Sequence, residues 1–492
     1  MSTGNSTNPA SAGLREPQDI GTLSAVELSN GYERRDISPV EVARTILRRV
    51  QVLNRTLNAF CFVDEEDVLS QAHASEARWR HGGALGALDG VPVSVKDNIQ
   101  ATGTPTLFGS RVLDRDASFL PDSPAVARLR EAGAVILGKT TMPEFAYKVT
   151  TESPLTGITV NPWDLDHSPG GSSGGAAAAV AAGLGPLALG TDGGGSIRVP
   201  AAWCGIFGFK PSFGRVPHYP RGTFALLSHV GPMTRTVADA ALMMQAITRP
   251  DARDWYSLPP DTTDYPGEIG AGVAGMTIAV SPTMGLADVG IDPEIADAVT
   301  RAAALLADHG AMIVEADPPA VETCRKLHVV MWSSYCAAVV RHVPDEKRRA
   351  FDPGLMQLAE LGESLPRNAF LEAIAARAEI GCEVNNFFSQ YDLLLGPASP
   401  ILAPPAPWLP DSAPIVPFLT SWCNQTGLPA ASVPMGIGLR KLPLAVQLIG
   451  PRFSDISVLR ASRILEASQP PMPFPPVSSA EQTGPSQSRA RC

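Results

Sequence analysis

The sequence predicts an α/β protein: one large, mixed and largely parallel, twisted β-sheet covered by helices on both faces. Three observations predict it. Apolar strand-like runs alternate with amphipathic helical segments along most of the 492 residues. The stretch from Thr277 to Glu315 reads strand, helix, strand, a unit whose two strands lie parallel. No linker splits the body, although 44 Gly and 46 Pro exceed ordinary usage. The expected organisation is a flexible N-terminus over 1–18, one domain over 19–467 and a disordered tail over 468–492, rich in Pro, Ser and Gln.

The elements follow from local signals. A helix near 39–54 is opened by Ser38-Pro39-Val40-Glu41, which supplies an N-cap, a Pro at the first helical position and a Glu at the third. A second helix spans 64–80. Leu88 to Asp97 reads as a turn feeding a short apolar strand that stops at charged residues, with Lys96 at its end. Then come a helix from Ser123 to Ala132, a strand from Ala134 to Leu137 and an Ala-rich helix from Gly175 to Gly183. Helices are expected over Thr236 to Thr248 and Asp292 to Asp308, with strands at Thr277 to Ser281 and Ala311 to Glu315. Residues 320–390 look helical and hold no motif. Tyr391 to Pro397, Ala431 to Pro434 and Leu444 to Ile449 are strand candidates, and Ser457 to Ala467 is a closing helix.

Composition excludes several classes. An apolar content of 44% against 18% charged residues suits a folded core. A net charge of −10, a pI near 5.4 and no basic run argue against nucleic acid as a partner. The 7 Cys are far apart and show no ligand spacing, so neither a disulfide framework nor a metal site is expected. The first residues lack the basic and apolar regions of a signal peptide, and Ala176 to Gly190 falls short of the ~20 apolar residues of a membrane span. The expectation is a cytoplasmic protein, monomer or homodimer, with a small-molecule substrate, no cofactor and no membrane contact.

Two motifs match by letter and fail on physics. Gly133 to Thr140 fits the phosphate-loop pattern GxxxxGK[ST], yet Ala134 to Leu137 is a strand that wants burial, not an open turn before a helix. Gly170 to Gly174 fits the nucleophile-elbow pattern GxSxG, but a polar, Pro-bounded loop stands where the preceding strand should be. The downstream His309, His328 and His342 have no context that marks them as a partner.

A third constellation is richer. Ten Gly fall in the 26 residues from Gly170 to Gly195, as Gly170-Gly171-Ser172-Ser173-Gly174-Gly175 and Gly190-Thr191-Asp192-Gly193-Gly194-Gly195-Ser196-Ile197-Arg198. A glycine run before a Ser lets several N–H groups point at one spot beside a hydroxyl, as an oxyanion hole requires. From Gly170 to Ala201 the chain resembles the core motif of the amidase signature family, GGSSGG, a spacer, then GTDxGGSIRxPA. Matching surroundings include Leu88 to Asn98, Asn161-Pro162-Trp163, Cys204 to Pro211, Gly231 to Arg235 and Asn424 to Pro429. The resemblance runs from about residue 20 to 467, with the core motif over 88–235.

The resemblance implies the amidase signature fold and a Ser–cis-Ser–Lys triad, with Ser196 as nucleophile, Ser172 as bridging serine and Lys96 as base. Gly193, Gly194 and Gly195 would form the oxyanion hole, and Ser173, Thr191, Asp192 and Arg198 would support the loop. Independently, a Lys can act as base only when neutral, which burial at the end of an apolar strand favours. The acyl pocket is expected to draw on Met142 to Thr151, including Met142, Tyr147 and Thr150, and on Trp332 and Tyr335. The implied activity is hydrolysis of a small, aryl or acyl amide, extending to esters or carbamates, by an acyl-enzyme route. The alternative is the catalytic subunit of a tRNA-dependent amidotransferase, which takes ammonia from glutamine and needs partner subunits. Against that alternative, Tyr147 and Lys148 replace the Met and Gly of that subfamily's FAMGS, and Leu226 to Pro232 departs from its SSLDQIGP.

Overall fold

The computed structural model describes residues 20–286, 288–408 and 419–477. Its centre is one sheet of eleven strands. In chain order the strands are β1 (Phe60–Phe62), β2 (Pro92–Lys96), β3 (Val135–Thr140), a separate short pair β4 (Glu152–Ser153) and β5 (Gly157–Ile158), β6 (Leu187–Asp192), β7 (Phe207–Lys210) and β8 (His229–Thr234). Then follow β9 (Thr277–Val280), β10 (Met312–Glu315), β11 (Leu393–Pro397), β12 (Ala430–Ile437) and β13 (Pro443–Ile449). The spatial order is β1-β3-β2-β6-β8-β7-β12-β13-β11-β9-β10. Every residue of β2, β3, β6, β8, β11 and β13 is buried, so both sheet faces are covered.

The sheet is mixed, as expected, but it is not largely parallel. Parallel ladders are confined to β3–β2, β2–β6, β11–β9 and β9–β10, and the other six are antiparallel. Helical crossovers join parallel neighbours toward the two sides of the sheet, through Pro124–Glu131 between β2 and β3 and through Pro293–Asp308 between β9 and β10, while Gly174–Ala181 lies between β3 and β6 and Arg198–Cys204 between β6 and β7. In the middle, loops and a tight β12–β13 hairpin reverse the chain.

The helix at Pro39–Leu57 forms as its cap predicts, with Ser38 Oγ accepting from the Glu41 N–H at 3.1 Å. Residues 320–390 are helical throughout their core, as Val321–Arg341, Asp345–Arg348, Pro353–Ser364 and Ala369–Phe388. The first, third and last of these build a second apolar cluster with Met142–Tyr147 and with Phe224 and Leu227, which puts this region beside the strand ends that carry Lys96.

Of the expected tail, residues 468–477 pack on the body. Met472 O accepts from Arg235 at 3.0 Å, and the Arg235 guanidinium lies 3.7 Å from the centre of the Phe474 ring. The expected N-terminal segment 1–18 and residues 478–492 lie outside the described residues.

The phosphate-loop look-alike is a buried strand. Gly138 and Lys139 both belong to β3, and Lys139 Nζ donates inward to Ile99 O at 2.6 Å and to Thr106 Oγ1 at 2.9 Å. Gly138 is required by packing: its φ is +144°, and a Cβ there would stand 2.2 Å from Phe62 O on the neighbouring strand. Gly138→Ala is therefore expected to destabilise the fold by about 2–4 kcal/mol, through strain and a forced shift of β1, read as a lower unfolding midpoint in a denaturant titration.

Candidate active site

The parallel pairing of β2 and β6 sets the site. Val95 aligns with Leu189, which brings Lys96 at the end of one strand beside Thr191 near the end of the other. A loop at Gly170–Ser173 then presents two hydroxyls to the same point before the helix Gly174–Ala181 begins. The Gly171–Ser172 peptide bond is cis. Lys96 is fully buried, and its Nζ lies 2.7 Å from Ser172 Oγ, 2.8 Å from Ser173 Oγ and 2.9 Å from Thr191 Oγ1. Burial pushes the Lys96 amine well below its ordinary value, and the Asp192 carboxylate draws it only partly back. The helix N-terminus at Ser173 acts in the same direction as burial, since its dipole disfavours an ammonium.

Ser196 follows β6 by four residues and keeps 9% of its surface accessible, against none for Ser172 and Ser173. The two glycine clusters are stitched together by the Ser173 N–H, which donates to Ser196 O at 3.1 Å. Below the loop lies a fully buried ion pair. Asp192 accepts from Arg198 Nη2 at 2.9 Å and Nε at 3.0 Å, and from the Ile197 N–H at 3.1 Å. Burial alone would raise the Asp192 carboxyl, but Arg198, Lys210 and Asn424 outweigh it and hold the group far below the usual carboxylate range.

One expected role is corrected here. The Gly195 N–H donates to Asp192 Oδ1 at 2.7 Å, so it points down into the ion pair and is already engaged. The N–H groups of Gly193, Gly194 and Ser196 have no acceptor among the described residues.

The expected pocket residues divide. Trp332 lies directly against the loop, since a Cβ on Gly193 would stand 3.2 Å from Trp332 Cζ3. It stacks on Phe224 with ring centroids 3.4 Å apart, and its Nε1 donates to Tyr147 O at 2.9 Å. Tyr335 stands edge-on to Phe224, its hydroxyl accepting from the Leu226 N–H at 3.3 Å. Tyr147 spends its hydroxyl on Asp352 Oδ1 at 2.7 Å, and Lys148 Nζ pairs with Asp352 and Glu152. The Thr150 hydroxyl donates to Glu152 at 3.2 Å. Met142 is completely enclosed, so it backs the wall as a core residue and does not line a pocket.

No histidine completes a triad of the elbow type among the described residues. His309 and His342 each turn Nδ1 to a carbonyl of their own helix, and His328 stacks on Trp332 at 4.8 Å. The Cys204 thiol is buried, pushed up by desolvation, and directed at Pro169 O.

Further residues complete the site beyond those the sequence singles out. Asn98 Nδ2 donates to Thr191 Oγ1 at 3.0 Å. Thr420 Oγ1 donates to Gly194 O at 2.6 Å, Asn424 Nδ2 to Asp192 Oδ1 at 2.9 Å, and Gln447 Oε1 accepts from Arg198 Nη1 at 2.7 Å. Asn98 and Asn424 fall in the matched runs, and that is the signal that could have found them. Thr420 and Phe224 carry no local signal.

Removing Arg198 would strand a buried carboxylate. Arg198→Met is expected to cost about 3–5 kcal/mol of stability in chemical denaturation, and an unchanged unfolding midpoint would refute the role given to the pair.

The Amidase family profile matches residues 41–459. The chain is 34% identical to a glutamyl-tRNA(Gln) amidotransferase subunit of Agathobacter rectalis, over 92% of this chain and 95% of that protein. The protein of the same name from Moorella thermoacetica is 36% identical, over 91% and 96%. Among solved structures, a bacterial aryl acylamidase of the amidase signature family superposes with a TM-score of 0.85 at 30% identity, covering 92% of this chain and 97% of that one. Family profile, relatives and fold agree over nearly the whole length, and the chain belongs to the amidase signature family.

Proposed function

We propose that this chain cleaves a carboxylic amide by transferring the acyl group to Ser196 and then to water. The observation that supports the reading is the hydrogen-bond inventory at Lys96. A neutral amine has two N–H donors and one lone pair, and three hydroxyl oxygens lie within 2.9 Å of this one, with the Thr191 carbonyl oxygen farther off at 3.4 Å. The Ser173 hydroxyl donates to Thr191 O at 3.1 Å, so its oxygen receives one amine N–H. The Thr191 hydroxyl oxygen takes the Asn98 Nδ2 N–H at 3.0 Å and its proton has Asn98 Oδ1 as acceptor at 3.4 Å, so its second lone pair receives the other amine N–H. The lone pair is left facing Ser172, whose proton has no other acceptor among the described residues.

The chemistry follows from that allocation. As Ser196 Oγ bonds to the substrate carbonyl carbon, its proton passes to Ser172 Oγ while the Ser172 proton passes to Lys96. The carbonyl electron pair moves onto oxygen and is held by the N–H groups of Gly193, Gly194 and Ser196. When the C–N bond breaks, the proton returns by the same relay to the departing nitrogen, which leaves as ammonia or an amine. Water repeats the sequence on the acyl-enzyme and releases the acid. Ser173, Thr191, Asp192 and Arg198 hold the two loops in register.

The Phe224–Trp332 stack against Gly193 favours a substrate with an aryl or other apolar acyl part. A second reading, the glutamine-cleaving subunit of an amidotransferase, is favoured by the names of the relatives at 34% and 36% identity. It would reopen the question of partner subunits and tRNA. Against it stand Tyr147 and Lys148, both fixed on Asp352.

An activity screen over anilides, aliphatic amides, carbamates and glutamine decides between the readings. Anilide hydrolysis by the isolated chain is the expected result, and glutaminase activity that rises on adding amidotransferase partner subunits would replace it with the second reading. Ser196→Ala and Lys96→Ala are each expected to lower turnover at least about 10³-fold in folded protein. Near-wild-type turnover in folded Lys96→Ala would overturn the relay.

The pH dependence has a defined sign. At low pH Lys96 is protonated and has no lone pair, so kcat/KM should rise with pH as the proton leaves. Because burial lowers that pKa, the rise should fall well below the ordinary lysine range near 10.5, and an acid limb at an unshifted lysine value would contradict the assignment.

A further inference from the structure

We infer that Thr151 is a positioning residue for this reaction, a hydroxyl clasp that sets Ser172 in place against Lys96. The inference rests on the reading of Ser172 as proton relay, and it concerns a residue outside that relay. Thr151 follows Lys148 and Thr150 on the segment between β3 and the loop, and it is 2% exposed. Its Oγ1 donates to Gly170 O at 2.7 Å and accepts from the Gly174 N–H at 3.1 Å. Those two groups flank Ser172 on either side in the chain, so one hydroxyl spans the turn that carries the relay serine.

The surrounding packing makes the clasp specific. A Cβ on Gly174 would stand 2.3 Å from Thr151 Oγ1, and one on Gly171 would stand 2.7 Å from Thr150 O, so this backbone lies in direct contact with the Ser172 turn. Thr151 is itself fixed, because its carbonyl accepts from the Thr159 N–H at 2.9 Å. From the opposite side the turn is held through the Ser173 N–H on Ser196 O. Ser172 Oγ meets Lys96 Nζ at 2.7 Å between these two supports. A proton relay needs that distance held, since proton transfer falls off once the hydrogen bond opens. Thr151 touches neither substrate nor transferred proton and acts through the geometry of Ser172.

The test uses the full chain and a fluorophosphonate probe, which reports activation of Ser196 without knowledge of the natural substrate. Four variants separate hydroxyl from volume: Thr151→Ser, Thr151→Ala, Thr151→Val and Thr151→Cys. The expected result is that Thr151→Ser labels within about threefold of wild type, while Ala, Val and Cys label at least about tenfold more slowly. On any amide found to be turned over, the loss should appear in kcat with KM held within about twofold. Should Thr151→Val fail to fold, the Ser, Ala and Cys variants carry the comparison. Labelling that follows side-chain volume, with Cys equal to wild type and Ser equal to Ala, would overturn the inference. So would wild-type labelling of folded Thr151→Val. Ser196→Ala and Ser172→Ala serve as controls: if either still labels at the wild-type rate, the relay itself fails, and that outcome is distinct from a failure of Thr151.

Discussion

The Asp192–Arg198 pair is the constraint on which the rest of the site depends. Two unit charges with no exposed surface would be costly to bury unless every donor and lone pair were used. Here they are. Arg198 directs Nε and Nη2 at the carboxylate, Nη1 at Thr420 O and Gln447 Oε1, and its remaining Nη2 proton at Asn424 Oδ1. Asp192 also takes the N–H groups of Gly195 and Ile197, so the carboxylate that neutralises the arginine fixes the backbone on both sides of Ser196. The result is an exchange of roles: Gly195 gives up its donor to hold the loop, and its neighbours keep theirs.

A second choice, which buried lysine would serve as base in the proposed reaction, turns on the kind of oxygen each one meets. Lys139 and Lys210 are as buried as Lys96, and burial lowers them to about 8 and about 7. Lys210 is bound to the carbonyls of Pro211 and Leu428, and a carbonyl has no proton to give. Lys139 meets one carbonyl and one hydroxyl, and the Asp97 carboxylate pulls its pKa back up. Among these three lysines only Lys96 faces several hydroxyls with no carboxylate in contact. Depressed basicity is therefore common to three lysines, whereas a cluster of three hydroxyls, Ser172 among them, is met by Lys96 alone of the three.

Legibility follows the range of the physics involved. The place of Lys96 at a strand end is readable because a strand that ends in charge after Val93 and Val95 is a local pattern, its part as base comes from the family resemblance, and the glycine clusters are readable by composition. Strands β6, β7 and β8 are not legible as strands, because LALGTD, FGFK and HVGPMT carry Gly or Pro and become strands only through their neighbours. Local pattern overstates the parallel content because the clear unit from β9 to β10 lies at one edge and does not represent the centre. The helix Ala25–Arg34 is absent from the expected elements although Ser24 and Glu27 form a complete capping box, a signal local enough to use. The engagement of Gly195 has no sequence signal at all. It depends on where a side chain three residues back points, and that is set by Arg198, Asn424 and the fold that brings them together.

That last dependence explains why the site needs almost the whole chain. The residues that would do the chemistry lie between Lys96 and Ser196, yet their support comes from more than two hundred residues later. Thr420 Oγ1 holds Gly194 O, Asn424 holds both the carboxylate and the carbonyl of Asp192, and Gln447 caps Arg198 from β13. β12 carries this support into the sheet by pairing with β7, two strands from β6 in the sheet order. A segment ending at β8 would contain every candidate catalytic group and still leave Arg198 with unpaired buried donors. The single continuous sheet is thus the means by which a distant part of the chain satisfies the ion pair under Ser196.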